Sequence, residues 1–231
     1  MVNQQMGQGP LIVFDMDGVL VEVTESYRDT IVATVRHFTG REITNPQIQE
    51  YKNRGGFNND WRLSHQIARD FGVDVEYEIV VEKFKSIFWG NDGVDGLILR
   101  EKWIAGTGLL ERLQERFGLA IFTGRFRDEV DDTLRRLASH VRFNPIICTG
   151  DVARGKPAPD GLIRIAELVP GRTLLYIGDT VDDARTARAA GVPFIGIAAP
   201  AQPCRDELIR LFEDEEATHI LDSINQLESV L

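Results

Sequence analysis

Short apolar runs, each ended by a small polar cluster, recur along this chain and constrain its fold more than any other feature. Runs of this kind are typical of parallel strands that are buried on both faces. Amphipathic helical patterns separate them, so strand alternates with helix. This alternation predicts an α/β fold, a doubly wound, Rossmann-like parallel sheet. The predicted strands are residues 11–14, 119–122, 145–148, 173–177, 194–197 and 219–221.

One region breaks the alternation of strand and helix. Between residues 21 and 99 the apolar residues recur at helical spacing, as in Ile31, Val35 and Phe38, without a buried-strand run. We therefore expect an inserted all-helical domain over residues 21–99. The α/β core would then comprise residues 1–20 and 100–231. A chain of 231 residues is long enough for one full core and such an insertion.

Composition and charge disfavour several classes of partner. The chain is 43% hydrophobic and 27% charged, which is typical of a soluble globular protein. A formal net charge of -10 argues against nucleic acid and anionic membranes, because binding to phosphate backbones needs clustered Lys and Arg. No apolar run approaches the roughly 18 residues that span a bilayer, and no signal-peptide pattern begins the chain. We expect a cytoplasmic monomer or homodimer that binds neither nucleic acid nor membrane.

The polar clusters at the strand ends are expected to meet in space. In an open parallel sheet the carboxyl ends of the strands form one crevice, so residues far apart in sequence converge there. Each of the four clusters, including the one at residues 155–160, is expected where an apolar, strand-like run stops. The side chains expected to share this pocket are Asp15, Asp17, Thr123, Lys156, Asp179 and Asp183.

The first cluster places two carboxylates at the end of a strand. Asp15 and Asp17 flank Met16, and Gly18 permits a sharp turn. Two carboxylates at this spacing can divide the chemistry: one acts as nucleophile or metal ligand, and the other transfers a proton. Taken alone, the pair is equally typical of an acidic turn without chemistry. The other clusters favour the chemical interpretation.

The second and third clusters supply donors suited to an anion. Thr123 and Gly124 end a strand before a helix, where a hydroxyl and a backbone N–H can hold a phosphoryl oxygen. Lys156 lies on a proline-stiffened loop, which suits neutralisation of charge. Plain turn chemistry and a solvated surface lysine are the alternatives. Arg125 is expected at the rim or at the start of the helix.

The fourth cluster indicates a metal site. Asp179 and Asp183 lie one helical turn apart after a buried strand, so both can face the crevice. Together with Asp15 and Asp17 they place four negative charges against the one lysine, and close like charges repel by several kcal/mol. A divalent cation resolves this repulsion, and hard carboxylate oxygens favour Mg²⁺. Asp182 is expected to face elsewhere, as an acid that interacts only with the helix dipole.

Taken together, the clusters resemble the four signature motifs of the haloacid dehalogenase-like hydrolase superfamily. They occur in the same order and span nearly the whole chain. The helical insertion resembles the cap of the phosphoglycolate phosphatase and β-phosphoglucomutase branch. The motifs are Asp-Met-Asp-Gly-Val-Leu (15–20), Thr-Gly-Arg (123–125), Gly-Lys-Pro-Ala-Pro-Asp (155–160) and Gly-Asp-Thr-Val-Asp-Asp (178–183).

The resemblance implies a role for each residue that meets the phosphoryl group. Asp15 would attack phosphorus and form an aspartyl-phosphate. Asp17 would protonate the leaving alcohol and then deprotonate the water that hydrolyses the intermediate. Thr123 and Lys156 would hold the transferring group. These roles amount to positioning and charge stabilisation, which is what phosphoryl transfer requires.

The resemblance also implies a cofactor and a reaction. Mg²⁺ would be bound by the Asp15 carboxylate, the Asp17 backbone carbonyl and Asp179, with Asp183 as a further ligand or a hydrogen-bonding partner behind them. Asp17 disfavours dehalogenation, because true dehalogenases of the superfamily lack an aspartate there. The expected function is a Mg²⁺-dependent phosphatase of a small phosphorylated metabolite. A phosphomutase and a catalytically silent phosphate-binding regulatory protein stay open as alternatives.

Substrate specificity is expected from a polar turn of the insertion, residues 52–60. The turn resembles in position the cap loop that meets substrate in related enzymes. Its glycines allow close backbone approach and its side chains offer hydrogen-bond donors. An exposed interhelical loop without function is the alternative. The residues concerned are Lys52, Arg54, Gly55, Gly56 and Asn59.

Overall fold

The computed structural model describes residues 9–91 and 93–231 of the chain. It divides into two compact units. The first, called the core unit here, joins the residues up to Val21 with Trp103–Leu231. The second, called the helical unit, is Glu22–Lys102. The expected insertion was residues 21–99. The helical unit begins one residue after that start and ends three residues after that end.

The strands range from two to five residues. Two pairs of two-residue strands, β2 with β5 and β3 with β4, form small sheets of their own. The strands are β1 (Leu11–Phe14), β2 (Val21–Glu22), β3 (Gly90–Asn91), β4 (Val94–Asp95), β5 (Lys102–Trp103), β6 (Gly118–Phe122), β7 (Ile146–Ile147), β8 (Leu174–Gly178), β9 (Phe194–Ile197) and β10 (His219–Leu221).

The helices follow the amphipathic stretches between the strands. In the part of the chain that is described, none has the length and apolar character that crossing a membrane requires. A π-helical turn (Thr24–Arg28) and two 3₁₀ turns (Leu97–Arg100 and Ile224–Ser229) accompany them. The helices are α1 (Asp29–Thr39), α2 (Asn45–Arg54), α3 (Asp60–Asp70), α4 (Tyr77–Trp89), α5 (Leu109–Arg116), α6 (Arg127–Leu137), α7 (Asp160–Leu168), α8 (Val181–Ala190) and α9 (Arg205–Asp214).

A six-stranded sheet in the order β10-β9-β8-β1-β6-β7 forms the centre of the core unit, and its strands are parallel. β1 lies between β8 and β6, and all of its residues are buried. A strand covered on both faces needs an uninterrupted apolar sequence, which is why β1 reads Leu-Ile-Val-Phe. The predicted α/β fold with a doubly wound parallel sheet is confirmed.

Helices α7, α8 and α9 pack onto the sheet through one apolar cluster. Leu162 of α7, Ala187 of α8 and Phe212 of α9 join the strand residues Val13 and Tyr176 in it. The alanines of α8 are short, so this helix can lie close to the strands. Burial of these apolar side chains stabilises the arrangement of helices on the sheet.

The helical unit has an apolar cluster of its own. Ile31, Leu63 and Phe84 bring together α1, α3 and α4. The unit also contains the β3–β4 hairpin, so the expectation of an all-helical insertion is wrong in this detail. Gly90 has a φ of +81°, and a Cβ there would lie 2.2 Å from the carbonyl oxygen of Val94. Strands of two residues carry no apolar periodicity, which explains why the sequence pattern did not indicate them.

We predict that Phe212→Ala lowers the free energy of unfolding by about 3–5 kcal/mol, because it leaves a cavity in the core. The Phe212 side chain is fully buried, its ring lies 5.4 Å from that of Phe194, and a Cβ at Gly196 would lie 2.4 Å from it. Chemical denaturation measures the loss. Leu168→Ala is the control, since Leu168 is 46% exposed and its truncation should cost at most about 1 kcal/mol. Equal losses for the two variants would contradict the assignment of Phe212 to the core.

Candidate active site

The register of the central strands brings site residues from distant parts of the chain to one edge of the sheet. Phe14 of β1 is paired with Ile121 of β6 and with Ile177 of β8. The chain therefore leaves these three strands at the same edge. Asp15 continues β1, and its backbone N–H donates to the carbonyl oxygen of Ile177 at 2.8 Å. Asp15 thus lies beside the carboxyl ends of both neighbouring strands.

Lys156 links two aspartates at this edge. Its Nζ lies 2.8 Å from Oδ1 of Asp15 and 2.6 Å from Oδ1 of Asp183. All three side chains are buried. The ammonium also lies over the rings of Phe122 and Tyr176, 5.2 and 5.5 Å from their centroids, where a cation is attracted to the ring face. Lys156 is therefore a buried neutralising charge and not a solvated surface lysine.

Asp15, Lys156 and Asp183 differ in how strongly their surroundings shift their pKa values, and in which direction. Burial raises the pKa of Asp15 to about 7, against the opposing influence of Lys156. Burial alone would lower the pKa of Lys156, but the carboxylates of Asp15 and Asp183 outweigh it and hold that pKa above its ordinary value. The pKa of Asp183 lies below its ordinary value, because Lys156 and the other donors outweigh burial. Lys156 and Asp183 therefore stay charged, whereas Asp15 exchanges its proton near neutral pH.

The carboxylate of Asp183 is saturated with hydrogen-bond donors. In addition to the ion pair with Lys156, the Tyr176 hydroxyl donates to its Oδ1 at 2.6 Å. The backbone N–H and the hydroxyl of Thr180 donate to Oδ2 at 3.0 and 2.6 Å. A Cβ at Gly178 would lie 2.4 Å from that of Asp183, so only glycine allows this approach. Asp183 thus holds the lysine and the start of α8 together.

Three of the predicted aspartates form a compact acidic cluster. Asp15, Asp179 and Asp183 each offer a carboxylate oxygen, and these oxygens lie within 4.8 Å of one another. Gly18, with a φ of +72°, makes the cluster possible, because a Cβ there would lie 2.0 Å from Oδ2 of Asp179. Hard oxygens in this number fit a divalent cation such as Mg²⁺. Because three hydrogen bonds and the ion pair with Lys156 already engage Asp183, Asp15 and Asp179 suit direct ligation better.

Arg125 lies two residues before α6 with its side chain in the interior, so of the two expected positions, the rim or the start of the helix, the rim is wrong. Its side chain is 1% exposed. Its Nε and Nη2 donate to Oδ1 of Asp17 at 2.7 and 2.5 Å, and its Nη1 donates to Oγ1 of Thr133 at 2.8 Å. Asp17 precedes Arg125 by 108 residues, a separation at which sequence pattern carries no information on contact. The site therefore contains two basic side chains, where sequence analysis counted Lys156 alone.

Thr123 and Gly124 form an ordered turn directly after β6. Thr123 is buried, and its hydroxyl accepts a hydrogen bond from the backbone N–H of Arg125 at 3.2 Å. The carbonyl oxygen of Gly124 accepts one from the Thr149 hydroxyl at 2.7 Å. These two hydrogen bonds fix the conformation of the turn that is expected to bind phosphate.

Sequence reasoning missed the partners that support the aspartates. Tyr176 lies in the apolar run of β8 and was given no role of its own from the sequence. A buried tyrosine hydroxyl normally finds a partner, and this rule could have indicated a polar neighbour. Thr180 is recognisable as the residue that caps α8 through Asp183. Asp182, expected to act only on the helix dipole at the helix start, is buried.

The donors expected in the turn at residues 52–60 make contacts inside the helical unit. Lys52 Nζ lies 2.8 Å from Oδ1 of Asp60. The Asn59 side chain accepts a hydrogen bond at the start of α3. The guanidinium of Arg54 lies over the ring of Tyr51, 4.7 Å from its centroid. These contacts shape the turn itself.

Gly55 and Gly56, at the same turn, line a cavity of about 630 Å³ in the helical unit. Arg62, His65 and Arg69 of α3 line it as well. Their spacing places them on one face of that helix. Sequence analysis did not single them out, because charged residues at this spacing are typical of a solvated helix face.

The sequence is similar to that of several known proteins. The family model described as haloacid dehalogenase-like hydrolase matches residues 10–191. A protein of Phytophthora nicotianae named imidazoleglycerol-phosphate dehydratase is 32% identical over 198 residues, which are 82% of this chain and 43% of the relative. A phosphoglycolate phosphatase of Escherichia coli strain K12 is 37% identical over 131 residues, which are 55% of this chain and 51% of the relative. The aligned part thus spans about half the length of these relatives or less.

The fold is similar to that of a solved structure. A conserved haloacid dehalogenase-like protein from Agrobacterium tumefaciens strain C58 superposes with a TM-score of 0.69 and 22% sequence identity. The superposition covers 96% of this chain and 97% of the other. At this level of identity the likeness concerns the fold alone.

We predict that Asp183→Asn lowers the free energy of unfolding of the metal-free protein at neutral pH by about 3–5 kcal/mol, because it breaks a buried ion pair. The pKa of Asp183 in the folded protein lies below the ordinary 3.8. Its carboxylate therefore stabilises fully above that value, and the contribution is lost as pH falls through the lower folded value. The deficit of the variant should shrink in that acidic range.

Denaturant titrations at neutral and acidic pH measure this deficit. Glu228→Gln is the control: it removes a carboxylate that pairs with Arg112 at the surface, and it should leave stability nearly unchanged. A deficit for Asp183→Asn that stays constant down to pH values well below 3.8 would contradict the assigned ion pair.

Proposed function

The chain belongs to the haloacid dehalogenase-like hydrolase family, and on this basis we propose that it hydrolyses a small phosphomonoester through an aspartyl-phosphate on Asp15. The observation that carries the proposal is the environment of Asp15. Its carboxylate is buried at the end of the central strand, lies 2.8 Å from the Lys156 ammonium and forms a cluster with Asp179. A carboxylate placed in this way can attack phosphorus beside the charges that stabilise the transition state.

The first half-reaction transfers the phosphoryl group to the protein. An oxygen of Asp15 forms a bond to phosphorus while the bond from phosphorus to the leaving oxygen breaks. Asp17 gives its proton to that oxygen, so the product departs as a neutral alcohol. Lys156 and the turn at Thr123 and Gly124 hold the phosphoryl oxygens during the transfer.

The second half-reaction releases inorganic phosphate. A water oxygen attacks phosphorus, and the bond between phosphorus and Asp15 breaks. Asp17, now a carboxylate, takes a proton from this water and returns to its starting state. The aspartate pair therefore ends the cycle with the protons it began with.

We propose Mg²⁺ as the cation of the acidic cluster. Asp15 and Asp179 would hold it through carboxylate oxygens, and Asp17 through its backbone carbonyl. When bound, Mg²⁺ supplies positive charge that stabilises the transferring phosphoryl group. Asp183 would act on Lys156 and not on the metal, since donors already occupy both of its oxygens.

We propose that the turn at residues 52–60 contributes to substrate selection. Gly55 and Gly56 line a cavity there, and Lys52 and Asn59 fix the shape of the turn. The E. coli relative's name, phosphoglycolate phosphatase, supports a small phosphorylated metabolite as the substrate. The net charge of -10 supports a small molecule over nucleic acid.

We predict that Asp15→Asn lowers kcat for p-nitrophenyl phosphate by at least about a thousandfold, because removing a nucleophile abolishes the covalent route. Release of p-nitrophenol with Mg²⁺ present measures the rate. Glu228→Gln, a change at the surface, should retain wild-type kcat. A loss of less than about tenfold in Asp15→Asn would exclude the role as nucleophile.

Measuring the products separates a phosphatase from the two alternatives, a phosphomutase and a silent phosphate-binding protein. A phosphatase releases inorganic phosphate in equal amount to p-nitrophenol. A phosphomutase, given sugar monophosphates, moves phosphate between positions of one sugar and releases little of it. A silent phosphate-binding protein turns over neither kind of substrate.

We predict that Mg²⁺ affinity falls as pH falls below the Asp15 pKa of about 7. A protonated Asp15 cannot ligate the metal, so the affinity should decrease by up to about tenfold for each pH unit below that value and level off above it. Calorimetric titration of the metal-free protein with MgCl₂ at several pH values measures this slope. Asp179→Asn should bind Mg²⁺ weakly at every pH. An affinity of the wild type that does not change with pH would remove Asp15 from the ligand set.

A further inference from the structure

We propose that Arg125 is a positioning residue for Asp17: it holds the carboxylate by Oδ1 and leaves Oδ2 to exchange a proton with the leaving group and with water. The inference rests on the proposed phosphatase activity. It goes beyond the roles that the family resemblance implies, in which Arg125 has no part.

The contact between the two side chains is asymmetric. Nε and Nη2 of Arg125 both donate to Oδ1 of Asp17, at 2.7 and 2.5 Å. Among the described residues, none donates to Oδ2. The Asp17 side chain is 31% exposed, whereas that of Arg125 is 1% exposed. The guanidinium therefore holds one carboxylate oxygen from the interior, on a side chain that is itself partly exposed.

The burial of Arg125 supports a role in holding one particular carboxylate, that of Asp17. A guanidinium removed from water is costly unless it is paired, and the planar fork of arginine binds a carboxylate in a defined direction. Arg125 is among the largest fully buried side chains of the described residues. Arg125 forms an ion pair with Asp17, the site aspartate that stands outside the acidic cluster.

The guanidinium is itself anchored to rigid elements. Its Nη1 donates to Oγ1 of Thr133, a buried residue of α6. The backbone N–H of Arg125 donates to the Thr123 hydroxyl, and its carbonyl oxygen accepts from the backbone N–H of Thr149 at 2.9 Å. Asp17 is thereby connected, through one residue, to the turn at Thr123 that is proposed to hold the phosphoryl group.

This arrangement suits a group that must act first as acid and then as base. With the proton on Oδ2, both bonds from Arg125 to Oδ1 persist. When the proton passes from Oδ2 to the leaving oxygen, the carboxylate stays in place, and the proton of the attacking water returns to the same oxygen. Arg125 remains protonated throughout, since arginine does not lose its proton in proteins. Both half-reactions are then served by one orientation of Asp17.

The dependence of the rate on the leaving group tests this role. We predict that Arg125→Gln lowers kcat/KM for a simple alkyl phosphate by about a hundredfold or more, because an alkoxide needs a proton in order to depart. For 2,4-dinitrophenyl phosphate, whose leaving group needs none, kcat/KM should fall by less than about threefold. Asp17→Asn should give the same contrast and serves as the positive reference.

A second readout follows the intermediate. Because Asp17 must also deprotonate water, the aspartyl-phosphate should accumulate in Arg125→Gln supplied with the dinitrophenyl ester. Rapid mixing should show a burst of dinitrophenol equal to the enzyme concentration, and acid quenching should recover labelled protein. A residue that serves only the fold would produce neither the contrast between esters nor the burst.

Thr133→Val is a second, milder variant, which keeps the test usable if the arginine variant does not fold. It keeps Arg125 but removes the bond to Nη1, so the same contrast between esters should appear in weaker form. An equal loss for both esters in Arg125→Gln, or in Thr133→Val if Arg125→Gln does not fold, would overturn the positioning role. A wild-type protein that hydrolyses neither ester would instead overturn the proposed function, and with it the role of Arg125.

Discussion

A buried ammonium between two carboxylates is the interaction on which the rest of the site depends. Lys156 lies within ion-pair distance of Asp15 and of Asp183, and both carboxylates are removed from water. Without this cation the two negative charges would face each other in the interior, and each would be strongly destabilised. The pair with Asp183 keeps the lysine charged, so Asp15 can be buried at the strand end and still ionise near neutral pH.

Arg125 provides a second cation and divides the work among the aspartates. Asp17 pairs with Arg125, Asp183 pairs with Lys156 and accepts hydrogen bonds from Thr180 before α8, and Asp15 and Asp179 are the proposed carboxylate ligands of the metal. When all four aspartates are ionised and Lys156 and Arg125 are protonated, these six side chains carry two net negative charges, which one divalent cation balances. The four carboxylates, equivalent in composition, therefore have four different environments. This division is what the proposed reaction, with a separate nucleophile, acid and metal site, requires.

The apolar runs predicted the sheet well, because burial on both faces leaves a plain signature in sequence. β1, β9 and β10 have the predicted bounds, and β6 and β8 differ by single residues at their ends. β7 is shorter than the predicted run, at Ile146–Ile147, and it forms the edge of the sheet with one neighbour only. The β3–β4 hairpin had no apolar pattern to reveal it.

The sequence by itself determined the parallel sheet and the convergence of its polar clusters, because apolar periodicity and strand direction are properties of local segments. The tertiary structure alone decided which cation meets which carboxylate. From the sequence, one lysine was expected to face four aspartates, and Arg125 was expected at the rim or at the start of the helix. The folded chain buries Arg125 against an aspartate 108 residues away and surrounds Asp183 with donors. Such pairings depend on the packing of side chains between distant segments, and no periodicity along the chain records them.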